Sequence, residues 1–384
     1  MKSRVPFRID RSLPRSLVGQ MTDGLRDAIL TGYYKPGDVL PTIHEWTRMY
    51  EVSIRVPEGA IANLVKEGLV VTRPRHGCVV QPQPGRRVWL GHVVVVRPSD
   101  FHSHACVSQV AAMEQQLSFA GYLVTTVVVR RDANYDFDLD ELNDVMSRNV
   151  SFAILVGKEL QLLDCLKMAE IPFLHVCFDA FAKAVDGCVG CVKMSLVSAQ
   201  EDFAVHCERV GVRHVTVIGK VNDRHGIMAL LERRGIRASL VEVAAEFGLE
   251  RVENLERETC HAIDGLFERE GRKWLSDVIY VEDDYQAIGA LFSLFSHGVK
   301  IPEDVGFVTV KNYGNGPALP ISLSRVEFNP AVAGAAIGKS VIAFLDGDGF
   351  SYDATTGFQY IVGESFPDQQ IKPPNHLTTK PPNH

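Results

Sequence analysis

From residue 91 onward, short β-branched runs alternate with stretches of helical periodicity. Val93–Val96 is an unbroken run of four valines, the pattern of a strand buried on both faces. Strands at Leu123–Val129, Phe152–Val156 and Pro172–Val176 follow, with helices at Val107–Phe119, Asp140–Ser147 and Leu160–Ala169. The same rhythm then resumes. Helix Val197–Arg209 leads to strand Val215–Ile218, helix Ile227–Arg234 to strand Ala238–Val243, and helix Thr259–Arg269 to strand Val278–Val281. Helix Gln286–His297 leads to strand Val305–Val310. Two runs of βα units, each four or five strands long, predict an α/β body of two lobes, each a doubly wound parallel sheet. Ligands meet such sheets beyond the carboxyl ends of their strands.

The first ninety residues obey a different pattern. Leu17, Met21, Leu25 and Ile29 line one helical face, and Gly32 stops it. Thr42 and Glu45 have the spacing of a capping box that opens a second helix with Ile43, Trp46 and Met49 inward. Val52-Ser53 leads to a third helix carrying Ile61, Leu64 and Val65 and ending at Gly68. Leu69–Thr72 and Cys78–Val80 flank Arg73-Pro74-Arg75-His76-Gly77, a two-stranded ribbon with a basic tip. Charge follows the same division. Residues 1–90 hold 14 Lys and Arg against 8 Asp and Glu, and the rest of the chain holds 26 against 39. A basic module on an acidic body suits one part that meets a polyanion and one that does not.

Three short helices and a basic β-wing make a winged helix-turn-helix. Gly32, Pro36-Gly37-Asp38, Leu40-Pro41, Val52-Ser53, Glu67-Gly68-Leu69-Val70 and Gly77 stand in the order and spacing of the GntR family's N-terminal domain, which residues 14–80 resemble. The resemblance implies DNA contacts from Thr42, Ser53, Arg55, Arg73, Arg75, His76 and Gly77. The departures lie in the recognition helix. The family carries arginine where this chain has Ile54 and Glu58, and Pro57 and Gly59 also interrupt the helix. Gln81-Pro82-Gln83-Pro84-Gly85-Arg86-Arg87 reads as a semi-rigid linker.

The body resembles the effector domain of LacI-type repressors, which is built like a periplasmic sugar-binding protein. The motif carriers are Asp277–Asp284, Ala287, Gly289-Ala290, Gly298 and Ile301-Pro302-Glu303-Asp304-Val305, with Asn329-Pro330, Gly334 and Leu345-Asp346-Gly347 closing the domain. A GntR-type head on such a body is the combination of arabinose-responsive repressors. The resemblance implies that Asp284 accepts from a ligand hydroxyl, with helix capping as its alternative role. Arg224, one residue off the slot of the family's ligand-binding arginine, is a second candidate. Arg97, Lys158, Asp179 and Lys311 fall just past strand ends, and Phe101 and Phe178 could platform a sugar ring. Arg97, Lys158 and Lys311 favour an acidic or phosphorylated ligand. Asp179 and Asp284 favour a neutral polyol, and the choice stays open.

The expected domains are 1–80 (winged head), 81–90 (linker), 91–367 (two-lobed effector-binding domain) and 368–384 (a Pro-rich tail without helix or strand). No H-E-x-x-H, G-x-S-x-G, Walker loop or G-x-G-x-x-G occurs, so no enzyme and no cofactor are expected. Cys188-x-x-Cys191 lacks a second pair, so these thiols are expected to be core residues and no metal is expected. No apolar run nears the roughly 18–20 residues that cross a bilayer, and the N-terminus has no secretory apolar core. The expected molecule is a cytoplasmic, homodimeric regulator, a repressor of carbohydrate-utilisation genes. It binds a double-stranded DNA operator and a small sugar-like effector. The competing reading is a solute sensor whose head has lost specific DNA binding.

Overall fold

The computed structural model describes residues 6–11, 14–83, 88–99, 103–132, 134–157, 159–177, 187–219, 226–243 and 252–368. The chain divides into two compact units. Unit 1 comprises Met1–Phe101, Val110–Lys193 and Ala335–Tyr352, and unit 2 comprises His102–Gln109, Met194–Gly334 and Asp353–His384.

Unit 1 begins with three helices, α1 (Leu17–Leu30), α2 (Ile43–Tyr50) and α3 (Arg55–Lys66), and a hairpin of β1 (Val70–Arg73) and β2 (Gly77–Val80). Ser16 opens α1 by accepting from the Gly19 amide. The capping box at α2 forms as spaced: Thr42 Oγ1 accepts from the Glu45 amide, and the Glu45 carboxylate accepts from the Thr42 amide. Met21, Leu25, Ala28, Trp46, Ala60 and Leu64 close a small core. Met49, expected inside, is 43% exposed, and Val65 of the third helix is 42% exposed. Each helix buries a narrow stripe in so small a core, and both lie at the margin of that stripe.

The unit continues as a five-stranded parallel sheet in the order β4-β3-β5-β6-β7. Its strands are β3 (His92–Pro98), β4 (Leu123–Val129), β5 (Phe152–Val156), β6 (Phe173–Cys177) and β7 (Gly190–Lys193). Helices α4 (His104–Phe119), α5 (Asp140–Met146) and α6 (Leu160–Met168) connect them. Val93–Val96 are fully buried, as their unbroken apolar run requires. The winged head and this sheet belong to one unit, and named bonds join them. Trp89 donates its amide to Leu30 O, Arg8 its amide to Ser147 O, and Asn149 Nδ2 to Thr31 Oγ1.

Unit 2 is built on a six-stranded sheet in the order β13-β12-β11-β10-β8-β9. Its elements run α7 (Val197–Val210), β8 (His214–Gly219), α8 (Ile227–Arg233), β9 (Arg237–Glu242), α9 (Val252–Glu270), β10 (Val278–Val281), α10 (Asp284–Ser296), β11 (Gly306–Asn312), β12 (Ser324–Phe328), the start of α11 (Pro330–Leu345), which belongs to unit 1 from Ala335 on, and β13 (Phe358–Ile361). The unit boundaries fall inside α4 and α11. This sheet departs from the expected all-parallel form, because β13 pairs antiparallel to β12. It is an edge strand left half in solvent, and antiparallel edges on parallel sheets are common.

Candidate functional site

The head places its cations at two tips. Arg55 is the first residue of α3, and Arg73, Arg75 and His76 stand at the hairpin turn, all exposed. Gly77 (φ 80°) and Arg75 (φ 64°) both take the left-handed conformation that closes this turn. His76 donates from Nδ1 to Pro74 O at 3.1 Å, which fixes its ring beside the tip. Among the described residues, no ion pair engages Arg55, Arg73 or Arg75, whereas Arg26 is committed to Asp23 and Glu67. Ser53 and Thr42 are exposed at the turns before α3 and α2. The Thr42 hydroxyl is held by Glu45 at 2.8 Å, so its position is fixed by the cap.

Two departures in α3 have packing reasons. Pro57 lies in the first turn, where its missing N–H would have found no intrahelical partner. A Cβ on Gly59 would stand 3.0 Å from Val18 Cγ1, so the glycine allows α1 and α3 to approach closely. The exposed Ile54 and Glu58 have no such explanation.

On the body, Arg97 is half-buried near the carboxyl end of β3 in unit 1. Phe101, Lys158, Phe178, Asp179 and Arg224 lie outside the described residues. In unit 2, β10 ends where α10 begins, and the two neighbouring carboxylates there have separate tasks. Asp283 is the helix cap, accepting from the Tyr285 and Gln286 amides. Asp284 is therefore not the cap. It is 1% exposed. Its Oδ2 accepts from the Asn312 amide at 3.2 Å, Asn312 Nδ2 at 3.1 Å and Asn315 Nδ2 at 3.1 Å. Its Oδ1 has no partner among the described residues.

The loop after β11 is thus tied to Asp284 from above. Gly316 (φ 83°) is pressed against it, and a Cβ there would stand 2.9 Å from Asp284 Cβ and 3.5 Å from Lys311 Cδ. Lys311, half-buried, borders the same loop. From α4, the His104 ring donates through Nε2 to Tyr313 O at 3.2 Å. Asn312 was placed by sequence reasoning, beside Lys311, in the loop where the LacI-type family often has an acidic pair; Asn315, Gly316 and His104 were not singled out. The only signal was the Asn-Tyr-Gly-Asn-Gly run, which reads as a turn and nothing more.

Cys188 and Cys191, expected in the core, are both only half-buried. Cys188 packs against the core of unit 1, and Cys191 Sγ lies 3.8 Å from His175 Nδ1. Burial pushes the Cys191 thiol up. Among the described residues, no group of three or more His, Cys, Asp or Glu is arranged to hold a metal ion, and no helix is long and apolar enough to cross a membrane.

Residues 17–80 match the bacterial regulatory proteins of the gntR family, and residues 204–366 match the periplasmic binding protein-like domain. The chain is 21% identical over 351 residues to the arabinose metabolism transcriptional repressor of Geobacillus stearothermophilus, covering 88% of this chain and 93% of that protein. A PurR family transcriptional regulator from Vibrio parahaemolyticus superposes with a TM-score of 0.54 at 16% identity, over 71% of this chain and 98% of the other. A LacI family regulator from Arthrobacter, solved in complex with lactose, gives a TM-score of 0.53 at 16% identity, over 72% of this chain and 99% of the other. At these identities the structures speak for the fold.

Proposed function

We propose, starting from a chain that joins a gntR-type winged head to a LacI-type, periplasmic-binding-protein-like body, that this protein is a transcriptional repressor of sugar metabolism released from DNA by a small effector. The observation that carries the reading is the placement of Arg55, Arg73 and Arg75 at the two exposed tips of the head, uncommitted to any ion pair among the described residues. Arg55 reaches a base edge or phosphate from the start of the recognition helix, and the wing reaches backbone or minor groove. Thr42, Ser53, His76 and Gly77 shape and support those contacts.

The effector is a sugar or sugar derivative, and each unit offers it the carboxyl ends of its strands. Arg97 in unit 1 and Lys311 in unit 2 are the proposed contacts among the described residues, with Asp284 fixing the loop beside Lys311. Phe101, Lys158, Phe178, Asp179 and Arg224 complete the proposed set. Release works by population shift: the effector binds one conformational state more tightly than the other. Hundredfold release needs about 2.7 kcal/mol of differential affinity. The protein acts in the cytoplasm as a homodimer, because one winged head spans too few base pairs for useful specificity.

The reading is tested by presenting the full chain with upstream genomic DNA and with random duplex at about 150 mM salt, where non-specific Kd is weaker than about 1 μM. Tight binding to an upstream fragment, reversed by one member of a pentose, hexose and disaccharide panel, is the expected result. Equal weak binding to both DNAs would leave the competing reading, a solute sensor with a head that no longer selects DNA.

A further inference from the structure

The outward face of α3 has an unusual composition for a helix that meets a polyanion. Ile54, Glu58, Ala62 and Val65 recur at helical spacing, and all four are exposed. The opposite face, with Val56, Ala60 and Leu64, supplies the core, so Ile54 is not needed there. At the N-cap position Ile54 makes no capping hydrogen bond, which Ser, Thr, Asp or Asn would. Its side chain is 41% exposed. Glu58 follows one turn later, and among the described residues nothing engages its carboxylate in an ion pair or hydrogen bond. Neither side chain belongs to the core, and the one structural service Glu58 offers is a carboxylate in the first turn of the helix; both border Arg55 at the end of the helix that enters the groove.

Major-groove chemistry matches this pair. Thymine offers a C5 methyl group and cytosine an N4 amino donor, while guanine offers only the acceptors N7 and O6. An isoleucine has no polar atom and suits the methyl. A carboxylate only accepts, so it suits the amino group and is repelled by guanine. Four residues of helix advance about 6 Å, which is between one and two base steps of about 3.4 Å.

We propose that Ile54 and Glu58 read a thymine methyl and, one or two base steps away, a cytosine amino group in each half-site. The head then selects pyrimidine edges where an arginine-led helix selects guanine. Glu58 also lowers affinity for phosphate-only contacts, which favours discrimination over raw binding. This inference rests on the DNA-binding reading above.

The experiment is selection from a random duplex pool with the full chain, then base-analogue scanning of the selected site. Uracil replaces each thymine, and pyrimidin-2-one, which lacks the amino group, replaces each cytosine. One uracil position per half-site should weaken binding about fourfold, the effect of withdrawing one buried methyl-sized group. That loss should vanish in Ile54→Ala. One cytosine position should behave likewise and lose its effect in Glu58→Ala, while Glu58→Arg should shift selection toward guanine. Both side chains are exposed, so a thermal melt should match wild type. Uracil tolerated at every position, or an equal loss in Ile54→Ala, overturns the proposal and leaves the regulator reading standing. A pool with no enriched sequence overturns both.

Discussion

Asp284 illustrates how a neighbour can take over one of the tasks offered to a residue. Sequence reasoning offered it two tasks, effector contact or helix cap. The extended backbone of Asp283 (φ −149°, ψ 144°) gives the cap to that residue. This leaves Asp284 buried under the loop it holds. In an Asp-Asp pair the cap can fall on either member, and only the dihedral angles choose. Asp284→Ala should cost roughly 1.5–3 kcal/mol, as expected for hydrogen bonds to a buried charge. Chemical denaturation should register the loss, and hydrogen exchange should quicken at residues 312–316. Asp283→Ala should cost only about 1 kcal/mol and leave that loop protected. Equal loop exchange in both variants would refute the division of labour. DNA affinity without effector should be unchanged in either.

At the scale of elements, strands read well where both faces are buried and poorly where they are not. Val93–Val96 and Val278–Val281 announce themselves as apolar runs. β7 (GCVK) and β12 (SRVEF) were missed because glycine, serine and charges break the run. β13 was missed because its half-exposed edge gives no pattern at all. The head was more legible, since its turns carry Pro-Gly, a capping box and a Gly-containing wing whose chemistry is local. Two predictions belong here. Arg73→Ala with Arg75→Ala should weaken DNA binding on all sequences and flatten the logarithmic salt slope by up to about 2; a salt titration with an unchanged slope would remove the wing from the interface. The second concerns β3, which opens with His92, 5% exposed and bonded to Thr125 Oγ1 at 2.8 Å. Burial, with a smaller push from the Arg148 charge, lowers its pKa to about 4. The folded state therefore holds this ring neutral while the unfolded chain protonates it below about 6.5. Its contribution is complete above about pH 6.5 and is lost as the pH falls toward 4, about 3 kcal/mol in all. Stability measured from pH 7 to 4 should drop less steeply in His92→Gln; parallel curves would show that another group is responsible.

At the scale of the whole molecule, the charge division found in the sequence follows the division of labour, with the basic excess in the residues that form the head and linker. Sedimentation at micromolar concentration should find a dimer, with and without selected DNA. A monomer in both conditions would require a single head to recognise its site alone. The threading of the chain has a consequence for ancestry. Each compact unit is assembled from three separate stretches, so the path leaves and re-enters both of them, whereas the winged head is one uninterrupted stretch ending before β3. One splice in the gene could exchange the head and leave every strand of the body beside its old neighbours. No single splice could trade one unit of the body for a foreign one without severing the other. Such threading would let a lineage keep its effector-binding body whole while exchanging its DNA-binding head as a cassette.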